Sequence, residues 1–140
     1  MRKISIIFTL VIVSGTGILT YSGYREPKTT ISPTSLKVQS FTPWNVTVPV
    51  MDIVSVDTIL RKEMPRISLR SNGISLFGVN RGWFKTKDGN KVWLSLNPDV
   101  DPVIVIEERN GRKYYLNKAN TKETLDLFKK LNGFTENKKE

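Results

Sequence analysis

Histidine and cysteine are both absent from this chain of 140 residues, and these absences exclude several kinds of chemistry. Without histidine there is no imidazole for acid–base catalysis. Without cysteine there is no thiol nucleophile, no disulfide, no cysteine-linked lipid and no usual zinc site. The sequence also has no Gly-x-Ser-x-Gly, phosphate-loop or dinucleotide-binding motif. We therefore expect a protein that is not an enzyme and that uses no cofactor or metal.

Acidic residues are scarce relative to basic ones, 13 against 22, so the formal net charge at pH 7 is +9. A basic surface favours anionic partners such as lipid headgroups or cell-wall polyanions, although it can also serve solubility alone. No arginine-rich run or basic helix with interleaved aromatics is present. We therefore expect no nucleic-acid partner.

One long run carries no charge at all: residues 4–21, which follow Arg2 and Lys3. As a helix this run would be roughly 27 Å long, close to the hydrocarbon thickness of a bilayer. Three interpretations remain open, namely a retained transmembrane signal anchor over residues 1–23, a cleaved secretory signal and a buried helix. The anchor is favoured because no Ala-x-Ala cleavage site follows the run.

The cations that precede this run favour a cytoplasmic N-terminus and a domain on the outer side of the membrane. The predicted location is therefore the cell membrane, with a single pass. Secretion after cleavage is the alternative. Residues 24–34 are rich in proline, serine and threonine and are predicted to form a linker.

Residues 35–132 are predicted to form one domain, and before its last element the runs follow the period-two pattern of β-strands, as in Val92, Leu94 and Leu96. Three dipeptides between the strand-like runs suit tight hairpin turns: Asn72-Gly73, Asp88-Gly89 and Asn110-Gly111. Together they predict an antiparallel meander.

The last element has helical spacing, with Leu125, Phe128 and Leu131 on one stripe. Asn120 and Glu123 form a capping-box start, and Asn132-Gly133 predicts the stop. We expect this helix to close the sheet rather than to lie on a membrane surface, and residues 133–140 to form a disordered tail.

One segment resembles a known family. Its residues are Arg70, Asn72, Gly73, Gly78, Gly82, Trp83 and Phe84, followed by a hairpin at Asp88-Gly89 and the strand "VWLSL". The segment resembles bacterial pleckstrin-homology-like (PH-like) domains, in which an Arg-x-Asn-Gly segment leads to a Gly-aromatic-aromatic strand. The chain departs from that pattern in having one span rather than two and Phe77 in place of proline.

The resemblance covers about residues 35–131. It implies a mainly β fold, a curved antiparallel sheet or barrel of about seven strands closed by the C-terminal helix. It also implies a membrane-anchored binding or scaffold role, without naming a ligand. From the residues themselves, the glycines are explained by turns and bulges, and Trp83 and Phe84 point to opposite sides of a strand.

Basic side chains gather around two of the predicted hairpins. The candidate ligand-binding residues are Arg70, Arg81, Lys85, Lys87 and Lys91. They could form one surface for an anionic lipid or a protein partner, or they could protect sheet edges from aggregation. The sequence thus predicts a non-enzymatic membrane-anchored binding module. The alternatives are a secreted basic β-protein that binds an anionic surface polymer and, more remotely, a small hydrolase.

Acidic residues give no convincing site. Asp99 and Asp101 fall in a calcium-loop register, but Pro102 occupies the position that requires glycine, so we interpret both as turn residues. Glu107 and Glu108 are adjacent on a predicted strand and would face opposite sides.

Overall fold

The computed structural model describes residues 25–39 and 44–137, apart from the side chain of Arg70. The expected membrane span, residues 1–23, lies outside the described part of the chain. Among the residues described, no helix is long and apolar enough to cross a membrane.

The described residues form nine strands and one α-helix. The strands are β1 (Lys28–Ile31), β2 (Ser35–Gln39), β3 (Val46–Pro49), β4 (Ile53–Ile59), β5 (Ile67–Leu76), β6 (Val79–Thr86), β7 (Lys91–Leu96), β8 (Val103–Glu108) and β9 (Lys113–Leu116). The helix α1 is Thr121–Glu136, and short 3-10 helices cover Val50–Asp52 and Arg61–Glu63. The expectation of a mainly β fold with a C-terminal helix is confirmed.

The strands form two sheets. The smaller has the order β1-β2-β3 and the larger β4-β8-β9-β7-β6-β5. Every pairing is antiparallel except that of β7 with β9, which is parallel. In the described chain β4 and β5 remain separate edges, so the larger sheet is not closed into a barrel.

The predicted meander is correct from β5 to β7 and wrong after it. The chain leaves β7 and forms β8 one strand position away, so the returning β9 fills the gap between them. Hydrophobic alternation does not distinguish this arrangement from a simple meander, because a strand alternates in the same way whichever neighbours it has.

Both faces of the larger sheet are buried along β7. On one face, here the Trp93 face, Trp93 and Tyr114 pack with residues of the smaller sheet and of α1, such as Leu36 and Leu131. On the opposite Leu94 face, Phe84, Leu94 and Tyr115 form a second cluster against which Met64 packs. The segment between β4 and β5, residues 60–66, thus helps to cover the Leu94 face.

The predicted linker contains a strand. Residues 28–31 form β1 and pair with β2, and Ile31 packs against the core. Before β1, Lys118 Nζ forms a 2.7 Å ion pair with Glu26, and Pro27 is buried. The fold therefore begins close to residue 26 rather than at residue 35.

Two turn predictions are confirmed and one is wrong. The Asp88-Gly89 and Asn110-Gly111 turns form, each with a glycine at positive φ. Asn72-Gly73 instead lies inside β5, and the reversal comes at Phe77-Gly78, where φ is 49° at Phe77 and 81° at Gly78.

The start of α1 is confirmed and its predicted end is wrong. Asn120 accepts a hydrogen bond from Glu123 N at 2.9 Å, as an N-cap does. The helix continues through Gly133 to Glu136, and Thr135 Oγ1 donates to Leu131 O at 3.2 Å. Gly133 is not in the left-handed conformation that a glycine stop requires.

Candidate anion-binding surface

Two hairpins lie side by side at one end of the larger sheet. Because β7 and β9 are parallel and Val92 is paired with Lys113, the turn before Lys91 and the turn before Lys113 share that end. We call it the Lys91 end, and the opposite end, where β7 finishes, the Leu96 end. The parallel pairing thus brings together basic residues that are about twenty positions apart in the sequence.

Trp83 lies beside both turns, on the Trp93 face. Its indole is half-buried and packs edge-to-face on Tyr114, with ring centroids 6.3 Å apart. Lys91 Nζ lies 4.9 Å from the Trp83 ring centroid, and Arg112 Cζ lies 5.8 Å from it. Both distances are within the range of cation–π attraction. One aromatic ring therefore holds cations from two separate hairpins.

A buried hydrogen bond fixes the position of Tyr114, the residue against which the Trp83 ring packs. Tyr114 Oη donates to Glu108 Oε2 at 2.7 Å. Burial, with the neighbouring Glu108 carboxylate, raises the pKa of Tyr114 to about 12, and the Arg112 guanidinium partly opposes the shift. Tyr114 is therefore neutral near pH 7 and serves as a fixed donor to Glu108.

Most cations at the Lys91 end form no ion pair with a described carboxylate, Lys113 being the exception. In residues 25–39 and 44–137 the ion pairs are Lys113 with Glu107, at 3.9 Å, and Lys118 with Glu26. Lys85, Lys87, Lys91 and Arg112 are exposed and form none with the described acidic groups. An anion could therefore approach them without displacing an internal partner.

An open cavity of about 440 Å³ lies between the two hairpins. Lys91, Arg112 and Lys113 contribute positive charge to it, and Asp88 contributes one negative charge. Tyr115 is also part of its wall, and burial raises the pKa of this side chain, with Glu107 as a smaller cause. Cations are in excess in this cavity, but Val92 and Tyr115 of its wall belong to the Leu94 face, so it opens on the side of the sheet opposite Trp83 and shares Lys91 and Arg112 with the Trp83 side.

The predicted ligand-binding residues separate into three groups. Lys85 and Lys91 lie directly opposite each other on β6 and β7, and Lys87 is in the adjoining turn, so these three share the Lys91 end. Arg81 is only 1% exposed, and its guanidinium donates to Leu96 O and Asn97 Oδ1, so it does not reach that surface. Arg70 lies on β5 opposite Phe84.

Sequence reasoning missed Arg112 and Lys113. Both follow the Asn110-Gly111 turn, which was recognised, but the turn alone does not reveal which strand will lie beside β9. Since the parallel pair places Lys113 next to Val92, knowledge of that pairing was the missing signal.

The motif glycines have a structural role. Gly73 and Gly82 face each other on β5 and β6, and a Cβ at either position would collide with a backbone carbonyl of the opposite strand. Gly82 has φ +107° and lies under the Trp44 ring. Trp44 Nε1 in turn donates to Asn72 Oδ1 at 3.3 Å. These contacts explain Asn72, Gly73 and Gly82 without a ligand.

The remaining motif residues and the acidic residues also have defined positions. Gly78 occupies the β5–β6 turn, and Phe84 is buried on the side opposite Trp83, as alternation predicts. Asp101 Oδ1 accepts from Arg61 N at 2.7 Å. Nowhere in the described part of the chain do three acidic side chains converge as metal ligands would.

The geometry thus defines a cationic surface around a half-buried indole. Comparison with protein-family models, with curated proteins and with solved structures finds no match to this chain.

Proposed function

We propose that the chain is a membrane-anchored, non-enzymatic binding module whose ligand is anionic. Lys91 and Arg112 are the principal contacts, Lys85 and Lys87 add long-range attraction, and Trp83 is the platform beneath. The main observation behind this proposal is that Lys91 and Arg112, from different hairpins, lie close to the same ring and form no ion pair with a described carboxylate.

Electrostatics supports an anion at this place. Lys91 and Arg112 lie 4.9 and 5.8 Å from the same ring centroid, and an oxyanion that reaches both cations would offset their mutual repulsion while it accepts charge-assisted hydrogen bonds from each. The excess of basic residues over the whole chain would attract such a ligand from a distance.

The proposal includes membership of the PH-like family and the N-terminal anchor. Support for the family is the Arg-x-Asn-Gly and Gly-Trp-Phe pattern, on paired strands β5 and β6, together with the C-terminal helix. Support for the anchor is the uncharged run over residues 4–21. Retention in the membrane pellet after carbonate washing tests the anchor, whereas loss of the N-terminal residues from the mature chain would favour the secreted alternative.

The binding test titrates inorganic polyphosphate into the full chain in uncharged detergent micelles and follows tryptophan emission. We expect the double variant Lys91→Gln/Arg112→Gln to bind roughly tenfold or more weakly, because it loses two charge-assisted contacts. Trp83→Phe should remove most of the change in emission.

The matched control is Lys62→Gln/Lys122→Gln, which lowers the net charge equally at exposed positions of the Leu96 end. If this control weakens binding as much as the hairpin variant, the attraction is general and the proposed site is wrong. Absence of polyphosphate binding at low salt would also overturn the anionic ligand and leave a protein partner to be sought.

A further inference from the structure

Exposed apolar side chains occur at both ends of the larger sheet: Met51, Val54, Ile67 and Leu69 lie towards the Lys91 end, whereas the exposed aromatic residue lies at the Leu96 end. Phe77, at the tip of the β5–β6 hairpin, is 82% exposed, and Leu60 is 42% exposed. Arg61, which follows Leu60, binds the Phe77 hairpin and the end of β7. Its Nη2 donates to Gly78 O at 3.0 Å and its Nη1 to Asn97 O at 2.6 Å. The tip is therefore fixed to the body of the fold.

Phe77 occupies a backbone conformation that disfavours it. Its φ of 49° lies in the left-handed region, where asparagine, aspartate or glycine is preferred in a two-residue hairpin turn. A bulky aromatic residue in this conformation lowers the stability of the fold. Because the ring is exposed, no burial of apolar surface offsets that loss. At 82% exposure the side chain packs little against the described part of the chain, which points to a contact outside it.

The first described residues lie at the same end as this tip. Asn117 joins Asn97 to the end of β9 through its side chain, with Asn97 N donating to Asn117 Oδ1 at 2.6 Å. The next residue, Lys118, forms the ion pair with Glu26. Glu26 and the Phe77 hairpin are thus both attached to the Leu96 end.

The length of chain before Glu26 limits its distance from the membrane. Tyr21, the last residue of the 4–21 stretch proposed to span the membrane, precedes Glu26 by five residues, and five residues reach about 17 Å at full extension. A domain held this closely by one end must present that end to the bilayer. The six-residue strand β7 alone separates the Lys91 end from the Leu96 end by about 20 Å.

We infer that the Leu96 end rests on the bilayer and that Phe77, with Leu60 beside it, inserts into the lipid headgroup region. This inference rests on the proposed anchor. The Lys91 end then points away from the bilayer, so its anionic ligand comes from the space or surface opposite. Exposed charges of both signs lie at the Leu96 end, with Lys62 and Lys122 balanced by Glu63, Asp99 and Asp101, so the contact made by Phe77 should depend little on lipid charge.

The absence of cysteine allows a direct test with single labels. The full chain is reconstituted in vesicles with a fluorophore on Lys62→Cys, at the Leu96 end, or on Asp88→Cys, at the Lys91 end. A quencher attached to the lipids should quench the residue-62 label roughly threefold or more over the residue-88 label, because interfacial residues lie about 5–10 Å inside the headgroup boundary.

The variant Phe77→Asn separates bilayer contact from folding. Asparagine suits the left-handed turn, so the thermal midpoint should stay equal or rise, while quenching of the residue-62 label falls by roughly half as the apolar tip is lost. Neutral and anionic vesicles should give the same result.

Three other outcomes would each refute the inference. If both labels escape quenching while the chain stays in the vesicles after carbonate washing, the tip does not touch lipid and the inference is wrong, although the anchor stands. Stronger quenching of the residue-88 label would show that the Lys91 end faces the bilayer, and this would also refute the inference. A chain that washes off the vesicles would refute the anchor and the inference together.

Discussion

At the scale of single residues, Tyr114 connects the core to the candidate site. Its ring lies against both Trp83 and Trp93, and its hydroxyl is bound to Glu108. Because the side chain is buried and the carboxylate lies beside it, ionisation of this tyrosine is unfavourable in the folded state.

Tyr114 should therefore make stability depend on alkaline pH. The folded-state pKa of about 12 exceeds the usual value of 10.0, so the contribution is complete below pH 10 and is lost as the pH rises towards 12. Denaturant midpoints measured from pH 8 to 11 should fall less steeply for Tyr114→Phe than for the unaltered chain. Since Tyr115 has a raised pKa too, some slope should persist. An unchanged slope would show that Tyr114 ionises freely.

Arg81 shows why residue type alone did not identify the site. An arginine near a hairpin resembles a ligand-binding residue in sequence, yet here its guanidinium hydrogen-bonds to groups at the end of β7. Nothing in the local pattern separates a buried arginine from an exposed one, because β6 buries residues on both of its faces.

At the scale of elements, the β5–β6 pair depends on two glycines that face each other. Their backbones approach so closely that a methyl group on either one would meet a carbonyl of the neighbouring strand. The same close approach leaves room for Trp44 above Gly82.

Gly73→Ala and Gly82→Ala should each lower the free energy of unfolding by on the order of 2 kcal/mol, since backbone atoms must move to make room. Gly133→Ala is the matched control, because a Cβ there meets nothing within 4 Å inside α1. This control should stabilise the chain by about 0.5–1 kcal/mol. Urea unfolding of the three variants checks both signs, and equal effects at all three glycines would contradict the proposed packing.

Elements were easier to predict than their ends and their neighbours. The periods of hydrophobic residues correctly predict the strands around residues 91–96 and the helix that Asn120 starts. The turn at Asn72-Gly73 failed because the dipeptide suits a hairpin but the pairing of β5 with β6 continues through it to Leu76. Likewise, Gly133 was taken as a stop, but α1 continues through it to Glu136.

At the scale of the whole molecule, the sheet separates two surfaces of different character. The Lys91 end has an excess of cations, whereas the Leu96 end carries the Phe77 tip and the start of the folded chain. Composition predicted the excess of positive charge but not its position, because position depends on which strands become neighbours. Because the sequence does not reveal which strands pair, it could not show which basic residues come together at the site.

The place of β9 in the larger sheet also constrains how the chain assembles. β9 is the last strand in the sequence, yet it joins the β4-β8 pair to the β5-β6-β7 unit. Until residue 116 has left the ribosome, the larger sheet exists as two separate pieces, each with an unprotected inner edge. Association of those edges with other chains competes with folding during that interval. Insertion of β9 between β7 and β8 therefore protects the chain from aggregation during synthesis as well as completing the finished sheet.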